Sequence, residues 1–178
     1  MNRRRKTITN IILVIVLLFI FLKVTDLYLT PLRAHRASEK SIHYGPSEVV
    51  HVENFPGGKY ILSKYDKWIS ANTVNRSLGF FWRFGDQVTG IENDLEKPVN
   101  YSMKMSDNNT VYYGIVNDDR VKRLEIELKN GEILVVEEFY DDMFIHLTES
   151  ENDDFYYVRV IRGYDSEGKE LFQEEDFF

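Results

Sequence analysis

The sequence offers few residues whose types and spacing suit catalysis or metal binding, and the histidines come first among them. The four histidines are His35, His43, His51 and His146. They show neither the H-E-x-x-H pattern nor another spacing typical of metal ligands. Serine and aspartate are frequent enough to supply a Ser–His–Asp triad, but no G-x-S-x-G motif marks a nucleophile. We therefore predict no catalytic residue and no metal site.

The absence of cysteine narrows the chemistry further. A chain with no cysteine has no thiolate nucleophile, no zinc–thiolate site and no disulfide. Residues 57–59 read Gly-Gly-Lys, but the rest of a phosphate-binding loop is missing. We therefore expect no cofactor and predict that the protein is not an enzyme.

Acidic side chains near the C-terminus are the remaining candidates for ion binding. Six of them lie in two predicted loops on either side of one predicted strand: Asp141, Asp142, Glu149, Glu151, Asp153 and Asp154. Calcium takes several carboxylate oxygens, but no spacing here matches an EF-hand loop. An acidic sheet edge that discourages aggregation is the alternative explanation. A calcium- or sugar-binding module therefore stays an alternative function.

The distribution of charge argues against nucleic acid as a partner. The formal net charge is −7. Residues 31–136 carry 14 basic and 14 acidic residues, whereas residues 137–178 carry 3 basic and 14 acidic residues, a net charge of −11. Such an acidic surface repels phosphate backbones.

An aromatic run is the best candidate for a binding face. Residues 80–84 read Phe-Phe-Trp-Arg-Phe between two glycines and are predicted to form a strand. Alternation along the strand places Phe80, Trp82 and Phe84 on one face. An exposed aromatic face binds sugars or peptides, and Trp68 and Tyr65 are its expected companions. The alternative is that the strand belongs to the core.

The N-terminal segment has the pattern of a membrane anchor. Residues 11–22 are consecutively Ile, Leu, Val or Phe, and Arg3, Arg4, Arg5 and Lys6 precede them. Insertion of such a run is favoured by roughly 4 to 7 kcal/mol. No pair of small residues with the spacing of a cleavage site follows it, which favours an uncleaved anchor over a signal peptide. The basic cluster predicts a cytoplasmic N-terminus, with residues 1–7 inside and residues 8–24 spanning the membrane.

The rest of the chain is predicted to be a polar tether followed by short strands. Residues 25–46 contain Pro31 and Gly45-Pro46 and form the tether, with a short helix over 29–41 as an option. From residue 47 onward the hydrophobic pattern has a period of two, and Asn130-Gly131 suits a two-residue hairpin turn. About nine short strands at this spacing are typical of a β-sandwich. The predicted strands cover residues 49–55, 59–68, 80–84, 101–105, 110–116, both arms of 123–138, 143–148, 155–164 and 169–172.

Several segments together resemble a known kind of protein. They are Leu78-Gly79-Phe80-Phe81-Trp82, residues 113–118, the Asn130-Gly131 hairpin and residues 164–169. The chain resembles small single-pass membrane-anchored proteins of low-GC Gram-positive bacteria with an extracytoplasmic immunoglobulin-like β domain. The resemblance covers nearly the full length. It implies no enzymatic activity and supplies no catalytic residues.

These observations give one set of expectations for the whole chain. We expect an all-β, immunoglobulin-like sandwich over residues 47–178, preceded by one transmembrane helix at residues 8–24. The expected location is the cell membrane, with the C-terminal domain outside the cytoplasm. The predicted function is non-catalytic binding of an envelope protein or of the cell wall. The alternative from another class is a cell-envelope hydrolase or its accessory subunit.

Overall fold

The computed structural model of the chain describes residues 3–85, 88–106, 109–149 and 157–175. These residues form two helices and twelve strands, so the prediction of a mostly β protein is confirmed. The helices are α1 (Arg3–Val24) and α2 (Pro31–Ser41). The strands are β1 (Glu48–Phe55), β2 (Gly58–Tyr65), β3 (Trp68–Ser77), β4 (Phe81–Phe84), β5 (Gly90–Glu92), β6 (Val99–Ser106), β7 (Asn109–Val116), β8 (Arg123–Leu128), β9 (Ile133–Val136), β10 (Met143–Glu149), β11 (Val158–Tyr164) and β12 (Glu170–Glu175).

Helix α1 contains the apolar run, and the β body does not cover its side chains. Ile8, Val14 and Phe19 are 57, 63 and 65% exposed. The apolar residues surround the helix rather than forming one stripe, so α1 has no face suited to packing on a single surface. Measured by length and apolarity together, no helix in the described ranges qualifies as a membrane span.

Helix α2 lies within the segment predicted to be a tether, where a short helix over 29–41 is an option. Thr30 caps the helix by accepting a hydrogen bond from the Arg33 amide, and Pro31 occupies the first turn, where its missing N–H costs nothing. Ala34 and His35 are fully buried, because α2 packs on the first sheet. Residues 25–46 are therefore docked on the β body and do not form a free linker.

The first sheet contains strands β1 to β5, all antiparallel. Its order is β1-β2-β3-β4, and β5 pairs with β3 beyond the end of β4. Successive side chains of β2 point to opposite faces, so Ile61 packs under α2 and Leu62 packs toward the second sheet. Both faces of this sheet are therefore covered.

Two further antiparallel sheets complete the body. The second sheet has the order β10-β7-β6, and the third has the order β12-β11-β8-β9. One core cluster joins the first and second sheets and includes Ile69, Tyr113 and Met143. A larger cluster joins the second and third sheets and includes Tyr112, Phe144, Leu124, Ile126, Leu128 and Ile161.

Strand β7 lies at the centre of this stack and is buried on both faces. Tyr112 faces the third sheet and the adjacent Tyr113 faces the first. Gly114, which follows Tyr113, lies where no side chain fits. A Cβ at this position would lie 2.3 Å from the Asn100 carbonyl oxygen and 2.7 Å from the Phe144 ring. The sequence predicts two packed sheets, whereas the structure stacks three. The second sheet is the middle layer, because it presents hydrophobic side chains on both of its faces.

The hairpin between β8 and β9 differs from its prediction by one residue. We expect a two-residue turn that pairs Leu128 with Ile133, but Ile133 pairs with Glu127. Gly131, with φ of 87°, closes a longer loop by donating from its amide to the Leu128 carbonyl. A left-handed glycine after the turn adds one residue to the loop and shifts the register. Ile133 and Val135 consequently face solvent, while Leu134 and Val136 face the core.

Candidate functional site

The structure distributes the predicted aromatic binding residues among different environments. Strand β4 begins at Phe81, so Phe80 lies on the preceding turn and is 66% exposed. Trp82 is buried against Ile61, Val74 and Ala34. Phe84 is half-buried, with its ring centroid 6.5 Å from that of Tyr28. Alternation correctly places Trp82 and Phe84 on one face, but α2 and the segment before it cover that face.

Tyr65 and Trp68 lie at the other end of the first sheet. They pair directly across the β2–β3 hairpin, whereas β4 pairs with the opposite end of β3. The Tyr65 ring lies 5.1 Å from the Tyr44 ring, and the Lys67 ammonium lies 5.7 Å from the Trp68 ring. The five residues therefore do not form one face, and their role in binding stays a prediction.

The predicted acidic cluster is described only in part. Asp141 and Asp142 both adopt positive φ, 48° and 62°, at the turn before β10. The Asp141 carboxylate lies 2.6 Å from the Lys64 ammonium, which neutralises it locally. Glu151, Asp153, Asp154 and the side chain of Glu149 lie outside the described residues. Within the described ranges, no group of three acidic or histidine residues has the geometry to hold a metal ion.

The junction between α1 and the β body is formed by hydrogen bonds. Tyr28 and Trp82 exchange backbone hydrogen bonds of 2.8 Å in each direction, so the chain after α1 extends the edge of the first sheet. The Arg83 guanidinium donates to the Thr25 carbonyl at 3.0 Å, one residue after the end of α1. The end of α1 is thus tied directly to β4.

A second group of buried polar residues, here called the α2 polar cluster, consists of His35, Arg36, Glu39, Ser47 and Asn72. His35 and Asn72 are fully buried, and Glu39 and Ser47 are nearly so. Helical spacing of four places His35 and Glu39 on the inner face of α2, where the His35 Nε2 lies 3.2 Å from the Glu39 Oε1. Ser47 arrives from the segment before β1 and Asn72 from β3. The cluster therefore joins α2 to the first sheet.

Glu39 is the acceptor at the centre of the α2 polar cluster. Its Oε1 accepts from the Ser47 amide at 3.0 Å and from the Ser47 hydroxyl, and its Oε2 accepts from the Arg36 guanidinium at 2.9 Å. Arg36 also donates to the Ser47 carbonyl at 2.6 Å. Burial opposes ionisation of Glu39, but the hydrogen bonds from Ser47 and Arg36 outweigh it and hold its pKa below the usual value.

His35 is held neutral in this environment. Burial lowers its pKa and outweighs the attraction of Glu39, and Arg36 lowers it further. The Asn72 side-chain nitrogen lies 2.9 Å from the His35 Nδ1, which suits donation to an unprotonated ring nitrogen. The proton then resides on Nε2, which faces Glu39 and the Ser47 hydroxyl at 3.2 Å.

The α2 polar cluster contains serine, histidine and glutamate, but its geometry does not suit nucleophilic catalysis. In a catalytic triad the acid holds the histidine nitrogen remote from the serine. Here Glu39 contacts the same ring nitrogen as Ser47 and accepts the hydrogen bond of the Ser47 hydroxyl itself. Ser47 is also only 3% exposed, which leaves no room for a substrate. The contacts are those of a structural connection between α2 and the first sheet.

The sequence contains only part of the signal for this cluster. His35 and Glu39 at a spacing of four on a predicted helix are visible, and so is the proximity of Arg36. Ser47 and Asn72 lie 12 and 37 residues from His35, so their contacts depend on the tertiary fold.

Comparisons with known proteins add no identification. No family model, no curated protein and no solved structure matches the chain.

Proposed function

We propose that this protein is a single-pass membrane protein that presents a non-catalytic β domain outside the cytoplasm. The observation that carries the proposal is helix α1, whose apolar side chains are exposed from Ile8 to Val24 wherever they are described. Soluble proteins rarely leave a contiguous apolar surface of that size uncovered. A lipid bilayer is the environment that satisfies such a surface.

The length of α1 is short for a membrane span, and the flanking charges compensate. Residues 8–24 extend about 25 Å at 1.5 Å per residue, against a hydrocarbon thickness of about 30 Å. Lys6 and Lys23 flank this run and extend their ammonium groups toward the headgroups, while the bilayer thins slightly. The four basic residues before the run favour a cytoplasmic N-terminus.

The junction after α1 supports a domain held close to the membrane. Because Tyr28 and Arg83 bind across the junction, the β body follows the anchor without a flexible tether. A domain fixed in this way suits binding of an envelope protein or of the cell wall, which is the function we propose.

We further infer that the second and third sheets form an immunoglobulin-like sandwich, with the first sheet as an added layer. Strands β6 to β12 divide into sheets of three and four strands that share one core cluster. Seven strands in two packed antiparallel sheets of three and four are characteristic of immunoglobulin-type domains. This arrangement supports the resemblance to anchored proteins of low-GC Gram-positive bacteria.

Membrane extraction tests the anchor. The full chain is expressed in bacteria, and its membranes are washed with alkaline carbonate. The wild type should stay in the membrane pellet. Arginine at both Val14 and Leu17 costs about 6 to 8 kcal/mol of insertion free energy, enough to cancel the favourable value for the run. That variant should therefore appear in the wash.

The matched control is Leu95→Arg with Ile133→Arg, since both residues are exposed on the β body. This control should remain in the pellet like the wild type. If the wild type is released by carbonate, or if the Val14/Leu17 variant stays in the pellet, α1 does not anchor the protein.

A further inference from the structure

The surface next to the end of α1 combines exposed apolar tips with basic side chains. The turn between β3 and β4 presents Leu78 and Phe80, which are 67% and 66% exposed. Leu78 and Gly79 both adopt left-handed backbone conformations, φ 49° and 81°, and a Cβ on Gly79 would meet nothing within 4 Å. The turn therefore exposes two large apolar side chains, of which Phe80 also contacts the Phe81 ring at a centroid distance of 4.2 Å.

Two more apolar side chains lie on the adjacent segment. The Tyr28–Trp82 bridge is antiparallel, so the residues following Tyr28 run alongside those preceding Trp82. This register brings Leu29 close to the turn that carries Phe80. Leu29 and the nearby Leu32 are also exposed. These four exposed side chains, Leu29, Leu32, Leu78 and Phe80, are here called the apolar rim.

Basic side chains flank this rim. Arg76 lies over the Trp82 ring at 5.4 Å, and the Lys59 ammonium lies 5.9 Å from the same ring. Arg83 contacts the end of α1 through the Thr25 carbonyl. Within the described ranges, none of the three forms an ion pair with a carboxylate.

Arg76 and Arg83 line the same cleft, which opens beside the end of α1. The cleft has a volume of about 420 Å³, and Asp26, two residues beyond α1, is also in its lining. The Asp26 carboxylate is engaged by the Tyr28 hydroxyl at 3.4 Å. The cleft is large enough for a small anionic headgroup, and two arginines against one aspartate give its lining a net charge of +1, which favours an anion.

Basic and acidic residues are also distributed unevenly along the chain, and the basic excess lies in the part that contains the rim and the cleft. Residues 25–85 carry 8 basic and 5 acidic residues, a net of +3, whereas residues 86–178 carry 9 basic and 24 acidic residues, a net of −15. Residues 25–85, which include β1 to β4 and the junction with α1, are thus the basic part, and the acidic excess lies in residues 86–178. An anionic surface attracts the former and repels the latter.

We propose that this rim and cleft dock onto the anionic phospholipid surface of the membrane that α1 crosses. Leu78 and Phe80 enter the interfacial region, and Arg76, Arg83 and Lys59 bind headgroup phosphates. The part of the chain that carries the acidic excess, residues 86–178, is thereby turned away from the membrane and toward a partner. This inference depends on the proposed anchoring by α1, because α1 places the rim at the bilayer surface.

Site-specific fluorescence on the full chain tests the docking. The chain has no cysteine, so Phe80→Cys and Ile133→Cys each provide a single labelling site for an environment-sensitive dye. Both positions are exposed, and position 133 lies on the third sheet. The labelled proteins are reconstituted into vesicles of phosphatidylcholine with phosphatidylglycerol, and into vesicles of phosphatidylcholine alone, each containing brominated lipid.

Docking predicts that brominated lipid quenches the dye at position 80 and shifts its emission to shorter wavelength only when phosphatidylglycerol is present. The dye at position 133 should show neither effect. Replacing Arg76 and Arg83 by glutamine should weaken docking about fivefold for each residue and reduce the quenching at position 80.

Flotation of the same vesicles separates this inference from the anchor. If the protein floats but positions 80 and 133 respond alike, docking is wrong and the anchor stands. Docking is equally wrong if quenching at position 80 is as strong without phosphatidylglycerol as with it and if the glutamine variant is quenched as strongly as the wild type. If the protein does not float, the anchor is wrong and the docking model fails with it.

Discussion

Replacing Glu39 by glutamine should destabilise the β body, because it removes the charge that holds the α2 polar cluster together. The side chain is 2% exposed and accepts from both the amide and the hydroxyl of Ser47, from Arg36 and from His35 Nε2. Glutamine keeps the shape, but its NH₂ group must face one of these donors. The substitution therefore removes at least one charge-assisted hydrogen bond and places the glutamine NH₂ group against another hydrogen-bond donor.

The expected loss is about 2 to 3 kcal/mol of unfolding free energy. A buried hydrogen bond to a charged group contributes about 1.5 to 3 kcal/mol. Arg36 is 44% exposed, so its bond to Glu39 is partly screened by water and contributes toward the low end. The Ser47 amide and hydroxyl are buried, so weakening their bonds has a larger cost.

The pH dependence of this difference has a definite sign. The pKa of Glu39 in the folded protein lies below its ordinary value of 4.5, so its contribution is complete above pH 4.5 and is lost as the pH falls through the folded-state pKa. The difference in unfolding free energy between the wild type and Glu39→Gln should therefore be largest near neutral pH and should decrease in acid. Burial also lowers the pKa of His35 below 6.5, so both proteins lose stability as the pH falls below 6.5.

Urea unfolding of the full chain in mild detergent, followed by tryptophan fluorescence, measures these differences. Trp82 reports directly, because it packs against Ala34 of α2. Glu48→Gln is the matched control, since Glu48 is exposed at the start of β1, and it should change stability by less than about 0.5 kcal/mol. If Glu39→Gln unfolds at the same urea concentration as this control, the α2 polar cluster does not stabilise the fold.

Three further predictions follow from individual sites. Trp82→Ala should lower the unfolding free energy by about 3 to 5 kcal/mol, whereas Phe80→Ala should lower it little, because of these two residues only Trp82 is in the core. Urea unfolding measures both variants, and equal losses of stability would contradict this prediction. Gly114→Ala should lower the melting temperature, because overpacking against backbone costs about 1 to 3 kcal/mol, and an unchanged melting temperature would refute the close contact in β7. The pKa of Asp118 should be about 2, because the Arg120 guanidinium donates to its carboxylate. Carbon-detected NMR titration should show this pKa rise toward 3.8 in Arg120→Gln. An unchanged pKa in the variant would argue against the ion pair.

The elements that the sequence locates correctly are those defined by local pattern. The β1 strand, the turn at Gly57 and the β7 strand follow from alternation and turn residues, and α2 falls within the optional helix over 29–41. Each of these signals lies within about ten residues. Local geometry therefore determines them regardless of the rest of the fold.

The predicted strand over 59–68 is wrong at its end, because β2 ends at Tyr65 and a turn leads to β3 at Trp68. The rest of β3 is not predicted, because its pattern is unlike that of an ordinary buried strand. It contains Ser70 and Asn72, which are fully buried. The Ser63 hydroxyl pairs with Ser70, and the Asn72 side-chain nitrogen pairs with His35, while the buried Asn72 Oδ1 has no partner among the described residues. Those partners come from other elements, so the polar residues resemble a loop until the tertiary contacts are known.

The candidate site illustrates the same limit. Trp82 and Phe84 lie on one face of β4, as predicted. Which face is covered depends on α2 and Tyr28, which come from the segment predicted to be a polar tether. Phe80 remains exposed because the strand begins one residue later than predicted. The third layer likewise has no local signal, since the burial of both faces of β7 is a long-range property.

The measurement that tests the central claim most directly is the sidedness of the membrane protein in intact cells. A membrane-impermeant maleimide is applied to Gram-positive cells expressing full-length variants with one cysteine, Thr7→Cys or Ser166→Cys, both at exposed positions. Anchoring with an extracytoplasmic β domain predicts labelling of position 166 in intact cells and of position 7 only after permeabilisation. Labelling of position 166 only after permeabilisation would contradict it.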